Sequence, residues 1–353
     1  MAKRPSSRTR VRQLLDDLEP TVKTAFNEGV ANMRLSGLSR SEQRAVEVRL
    51  EQAIQKGDVE EAARTLNVDF SSFRPLSKAI ENVFEAGGEE AATKVPKVTK
   101  NNGSTAVFRF DIGNPSAAHE LRNHSSNLIT GIVDDQRQVI RDILADGIEQ
   151  GRAPRRTALD LVGRINPVTG RREGGVIGLT APQARYVENM RRRLLSGNPK
   201  EMEKVFGMER RDKRFDATIR KAIEAGTKLD QATVNRLTMR YSDRLLQLRG
   251  ETIARTETMT AFNKGQMASM QQAISEGRVS ASVVVKVWHA FLDERTRFTH
   301  SALNKAEVGF YDAFVTARGA HLQHPGDPAG GPSEIVCCRC WMETKIDFLA
   351  DLD

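Results

Sequence analysis

The chain has 353 residues, of which 39% are hydrophobic and 28% are charged. This length is enough for two or three domains with buried cores, and this composition excludes a chain that is disordered throughout. The net charge of +8 favours polyanionic partners, such as nucleic acid, an anionic membrane or an acidic protein surface.

The cysteine content and the hydropathy pattern point to an intracellular protein. Three cysteines are too few, and odd in number, for a disulfide framework, so we expect a reducing cytosol. The first residues, MAKRPSSRTRVRQLL, are basic but lack the apolar core of a signal peptide. No run approaches the roughly 18 apolar residues of a spanning helix. We therefore expect a soluble product.

The N-terminal third is predicted to be helical after a short arm. Residues 1–10 are basic and contain proline and serine, which predicts a disordered basic arm. Apolar residues then recur at helical spacing, with Pro20 as an interruption. Ser39 stands three residues before Glu42, which is a capping-box signal for a new helix. Residues 11–100 therefore form a predicted N-terminal helical region.

The central part is also predicted to be helical. A segment rich in Pro, Asn and Gly near residue 100 marks a boundary and includes a β-like run over 106–110. An amphipathic helix pair is predicted over 115–151, followed by a loop with a hairpin around Val168–Gly170. These elements define a central helical region over 101–240.

Basic residues are concentrated at two places in these regions. A solvated helical face explains such a cluster without any ligand, whereas the alternative is contact with phosphates or an acidic assembly partner. The candidate contact residues are Lys3, Arg4, Arg8 and Arg10 in the arm, and Arg191, Arg192, Arg193, Arg210, Arg211 and Arg214 in the centre.

The C-terminal part changes from helix to strand. One long helix is predicted over 241–277, with Gly250 as a position for a kink. The β-branched run SASVVVKVW then predicts a strand, and the chain ends in one or two further short strands. We therefore predict a mostly α protein with a C-terminal α+β domain over 241–353, in which the long helix packs on a small sheet.

Four of the six histidines and all three cysteines lie between residues 289 and 340. Asp293, Glu294 and His300 could form an acid–base set, but no serine or cysteine stands in a nucleophile motif, so we expect no enzyme. His300, Cys338 and Cys340, with His321 or His324, could supply zinc ligands. The Cys-x-Cys spacing is tighter than usual and no CxxC precedes it, which favours free buried thiols and no cofactor.

The charged residues of the same region suggest a polar clamp. Charged side chains are seldom buried unpaired. We therefore predict that the long helix crosses the sheet so that the carboxylates of Asp293 and Glu257 receive arginines, as a structural or interfacial network. Its members are Arg255, Glu257, Asp293, Arg295, Arg297 and His300.

Three motifs in order carry a family resemblance over about residues 250–345. ETIARTETMTAFNKGQ, VWHAFLDERTRFTHSALN and HPGDPAGGPSEIVCCRCWM resemble the IARTE helix, the RTR segment and the CRC ending of the phage head-morphogenesis family, the Mu F-like minor head proteins. Many relatives have cysteines where this chain has Arg297 and His300. Because Arg297 puts a fixed positive charge there, we expect little or no bound zinc.

The resemblance implies a virion component, a minor head (minor capsid) protein that acts with the portal in procapsid assembly and, in some relatives, in DNA packaging or delivery. The implied partners are the portal protein, other head proteins and packaged DNA, without a membrane. Its implied location is the capsid interior or portal vertex, and the host cytoplasm during assembly. Two alternatives stay open: a zinc-bearing or DNA-modifying module delivered with the genome, and a non-specific nucleic-acid-binding protein.

Overall fold

The computed structural model describes residues 7–99, 103–170 and 172–347, with the backbone alone for residues 7 and 8. The helices of these residues are α1 (Ser7–Met33), α2 (Arg40–Lys56), α3 (Val59–Thr65), α4 (Arg74–Ala92), α5 (Pro115–Glu149), α6 (Pro154–Val162), α7 (Ala181–Leu195), α8 (Pro199–Glu203), α9 (Asp216–Glu224), α10 (Gln231–Ser275), α11 (Phe298–Ser301) and α12 (Pro332–Ile335). The strands are β1 (Val98–Thr99), β2 (Thr105–Ala106), β3 (Arg164–Ile165), β4 (Arg172–Glu173), β5 (Val284–His289), β6 (Glu307–Gly309), β7 (Phe314–Val315), β8 (His321–Leu322) and β9 (Trp341–Ile346). The predicted fold class, mostly α with a C-terminal α+β part, is confirmed.

The described residues form two compact units, each built from separate stretches of chain. One unit takes its residues from 1–26, 76–127 and 251–353, and the other from 27–75 and 128–250. These units differ from the consecutive regions predicted from composition. The physical reason is that α1, α4, α5 and α10 each contribute residues to both units, so compositional breaks do not mark the limits of packing.

Local capping chemistry fixes the start of α2, as predicted, and also the start of α7. Ser39 caps α2 and forms the full capping box with Glu42, and Thr180 does the same for α7 with Gln183. The hairpin predicted around Val168–Gly170 is present as the antiparallel pair β3 and β4. At these places the signal is local, so neighbouring residues suffice to specify the structure.

Three predictions about the arm and the helices are wrong: the disordered state of residues 7–10, the interruption at Pro20 and the helix pair over 115–151. Helix α1 already begins at Ser7, so residues 7–10 are not a disordered arm; Lys3 and Arg4 lie outside the described residues. The helix also continues through Pro20, which is exposed. Because proline has no backbone N–H, the helix lacks one hydrogen bond there. Helix α5 is a single helix of 35 residues rather than a pair, and α10 passes Gly250 without ending. Burial of the flanking apolar residues outweighs these local breaks.

Two glycines allow α4 and α10 to approach closely in the first unit. A Cβ built on Gly265 would lie 1.9 Å from the carbonyl oxygen of Phe84, and one built on Gly87 would lie 2.1 Å from that of Phe262. Any larger side chain therefore collides with the backbone of the opposite helix. The C-terminal half of α10 is thus fixed against α4.

The same half of α10 packs on the small sheet, as predicted. Strand β5 is central, with β6 and β9 antiparallel on either side, and Trp288 stands opposite Met342. Met270 and Ala273 of α10 belong to the same buried cluster as Val284 of β5. Among the described residues, no helix is both long and apolar enough to cross a membrane.

Candidate metal centre and its charged surroundings

The turn after β5 is organised by Asp293. Its Oδ1 accepts hydrogen bonds from the backbone N–H of Arg295 and from the Thr296 hydroxyl, both at 3.1 Å. Leu292, with φ of 56°, reverses the chain just before it. This turn leads directly into α11, which carries His300 into the interior of the first unit.

Asp293 pairs with Arg339, a residue that the sequence did not single out. The Arg339 guanidinium donates to both carboxylate oxygens, with a distance of 2.5 Å to Oδ2. This pairing, helped by the Thr296 hydroxyl, lowers the pKa of the Asp293 carboxyl to about 2. The Arg339 and Arg12 guanidinium groups lie 4.4 and 3.9 Å from the centre of the Phe291 ring.

The predicted clamp is not one network. Arg255 pairs with Glu19 at 3.1 Å, and Glu257 contacts Nε2 of His124 at 3.1 Å. Residues two apart on a helix point in different directions, so Arg255 and Glu257 cannot share a partner. Asp293 instead forms its ion pair with the guanidinium of Arg339. Within the described part of the chain, separate pairs therefore replace the clamp.

The two arginines of the predicted clamp also have other environments. The Arg295 side chain is exposed, and only its backbone contacts Asp293, because the turn directs the side chain outward. Arg297 donates to the backbone carbonyl of Val336. Neither arginine pairs with Asp293, so the predicted role of Arg295 as a partner of a buried carboxylate is wrong.

His300, Cys338 and Cys340 come together in the interior. Nδ1 of His300 lies 3.4 Å from Sγ of Cys338 and 3.6 Å from Sγ of Cys340, and all three residues are at most 2% exposed. The three candidate ligand atoms lie within 4.8 Å of one another. Both cysteines stand in the loop between α12 and β9, whereas His300 comes from α11.

The two thiols influence each other. The pKa of the Cys338 thiol is held well below its usual range, because its sulfur accepts a hydrogen bond from Cys340 and another from His300. The pKa of the Cys340 thiol is raised, because its hydrogen bond to Cys338 and its burial favour the protonated form. The arrangement can therefore share one proton between the sulfurs, or bind a cation through both.

Glu334 completes the surroundings of the histidine. Its Oε2 lies 3.0 Å from Nε2 of His300, on the side of the ring opposite the cysteines. The contact does not have the angle of a good hydrogen bond, and Nε2 has no other hydrogen-bond partner. Thr299 donates to the same carboxylate oxygen at 3.0 Å. Glu334 lies in α12, inside a Pro/Gly-rich segment whose composition gave no signal for this role.

The other candidate ligands lie outside this set. His324 is buried, its Nδ1 lies 3.0 Å from the Pro325 carbonyl oxygen, and burial lowers its pKa to about 4. His321 is exposed on β8, and Cys337 is also exposed, with a left-handed φ of 57°. Of the candidate ligands, the structure therefore brings together His300, Cys338 and Cys340.

The candidate phosphate-binding arginines divide into buried and exposed groups. Arg10 pairs with Glu90 at 2.6 Å in the first unit. Arg191, in the second unit, is buried and lies 2.8 Å from Asp160, so its proposed contact with phosphate is wrong. Arg192, Arg210 and Arg214 are exposed, Arg193 and Arg211 are half-buried, and the side chain of Arg8 lies outside the described residues.

Comparison with known protein families identifies the C-terminal part. Residues 213–343 match the family model described as phage Mu protein F like protein. The three sequence motifs, the α10 segment and the His300–Cys340 region all lie inside or at the edge of this match. The predicted family resemblance is therefore confirmed, and residues 213–343 form a Mu F-like segment, as found in phage head-morphogenesis proteins. No curated protein and no solved structure matches the chain.

Proposed function

We propose that this protein is a minor head protein that acts with the portal during procapsid assembly. The observation that carries the proposal is the Mu F-like match over residues 213–343. This segment includes α10, strands β5 and β6, the start of β9 and the turn built by Asp293, so a continuous series of elements rather than an isolated motif corresponds to the family. Its role is assembly rather than catalysis, and its location is the virion.

Packaged DNA is a second proposed partner. The net charge of +8 supports it, together with exposed arginines such as Arg192 and Arg210. Such contacts neutralise phosphates without reading base sequence, so the affinity falls steeply as salt rises. DNA binding alone, without portal binding, would instead favour the alternative of a general nucleic-acid-binding protein.

Sedimentation of the purified chain with two ligands tests this assignment. The first ligand is the portal ring encoded by the same phage, and the second is duplex DNA of unrelated sequence. We expect the chain to co-sediment with portal rings at physiological salt and with DNA only at low salt. Co-sedimentation with DNA but not with portal rings, over the same salt range, would contradict the proposed function.

A further inference from the structure

Three buried soft ligands from two segments of the first unit converge on one point. We propose that His300, Cys338 and Cys340 bind a zinc ion, or another divalent ion that prefers sulfur and nitrogen in a tetrahedron. This proposal is independent of the role in head assembly. It also departs from the sequence-based expectation of little or no zinc, which rested on Arg297.

The distances fit a tetrahedral centre. Zinc lies about 2.0–2.1 Å from histidine nitrogen and about 2.3 Å from cysteine sulfur, which places nitrogen and sulfur about 3.6 Å apart in a tetrahedron. Nδ1 of His300 lies 3.4 and 3.6 Å from the two sulfurs. Both nitrogen–sulfur distances therefore suit a tetrahedral centre.

The surroundings supply the outer contacts that a ligating histidine needs. A histidine that binds metal through Nδ1 is neutral and carries its proton on Nε2, where a carboxylate commonly accepts it. Oε2 of Glu334 lies on that side, 3.0 Å from Nε2 although not at a hydrogen-bond angle, and accepts a hydrogen bond from Thr299. The backbone N–H of Cys340 donates to Sγ of Cys338 at 3.4 Å, which stabilises a thiolate there.

Arg297 is compatible with the ion. Its guanidinium donates to the carbonyl of Val336, so its position is fixed by the backbone. Two thiolates and the Glu334 carboxylate carry three negative charges, which equal the two positive charges of zinc plus that of Arg297. In a buried site such a balance favours occupancy, because each charge has a neutralising partner.

The fourth coordination position is open to a small ligand. A cavity of about 10 Å³ adjoins the cluster and is lined by residues that include Arg297, His300 and Cys337. This volume is at the lower limit for one water molecule. The ion would then join the turn after β5 to the loop before β9, and so stabilise the edge of the sheet.

Metal content measured on single-cysteine variants tests the site. The full chain is produced with zinc in the medium and purified without chelator, and its zinc is measured by elemental analysis. We expect about one equivalent in the wild-type chain. Cys338→Ser and Cys340→Ser should lose most of it, whereas the matched control Cys337→Ser, at an exposed cysteine next to the site, should retain it.

If a cysteine variant fails to fold, the site can still be tested on chains that keep His300, Cys338 and Cys340. Cobalt added to metal-free wild-type chain should produce the thiolate-to-metal absorption of a tetrahedral site, and Glu334→Gln should bind metal about 10-fold more weakly. The proposal would be overturned if the wild-type chain holds no zinc after incubation with the ion and shows no cobalt absorption. Equal zinc content in Cys337→Ser, Cys338→Ser and Cys340→Ser would overturn it as well.

Discussion

Asp293 shows how one residue can serve a turn and an ion pair together. Its carboxylate accepts from the backbone of Arg295 and also receives the guanidinium of Arg339. The first partner is two positions away and is typical of aspartate in turns. The second lies 46 residues away, and nothing in the sequence around Asp293 identifies it. The sequence therefore predicted that Asp293 is paired but assigned it the wrong arginines.

We predict that Arg339→Gln raises the pKa of the Asp293 carboxyl from about 2 towards its ordinary value of about 3.9. Because the folded-state pKa lies below the unfolded value, the pair contributes stability above about pH 4, and this contribution is lost as the pH falls through about 2. NMR titration of the Asp293 carboxyl measures the shift. Arg295→Gln is the matched control and should leave this pKa unchanged; equal effects of the two substitutions would refute the assignment of the partner.

Helices show which structural features can be read from the sequence. The starts of α2 and α7 are specified by side chains three residues apart, so Ser39 and Thr180 are sufficient evidence. The absence of a break at Pro20 or Gly250 depends on packing with residues far away in the chain. The same limit applies to the candidate metal centre: the sequence singled out His300, Cys338 and Cys340 among other residues, but not their convergence or the place of Glu334 behind the histidine.

The contact between α4 and α10 provides a test at the scale of elements. We predict that Gly265→Ala lowers the melting temperature, because its Cβ would lie 1.9 Å from the Phe84 carbonyl oxygen and the helices must separate. Such overpacking costs about 1–3 kcal/mol or more.

The matched control is the same substitution inside another helix. Gly131 lies within α5, is exposed, and has no atom within 4 Å of a built Cβ. Gly131→Ala should therefore stabilise the protein, by about 0.5–1 kcal/mol, because alanine favours the helix. Thermal melts followed by circular dichroism measure both changes. A melting temperature of Gly265→Ala equal to or above that of the wild type would contradict the close approach.

At the scale of the whole molecule, the Mu F-like match covers residues 213–343. Residues 76–127 nevertheless share a compact unit with the sheet and the candidate metal centre. The motifs predicted the family, because they lie close together in sequence. They did not predict this division of the chain, which depends on packing between distant segments.

The proposed function requires the chain to enter the phage head together with the portal. Mass spectrometry of gradient-purified procapsids, with the copy number of each protein counted per shell, tests it most directly. Shells that contain a portal should carry the chain in low copy, and shells assembled from capsid and scaffold proteins without a portal should lack it. Absence of the chain from portal-containing procapsids, or equal amounts in both kinds of shell, would contradict the account.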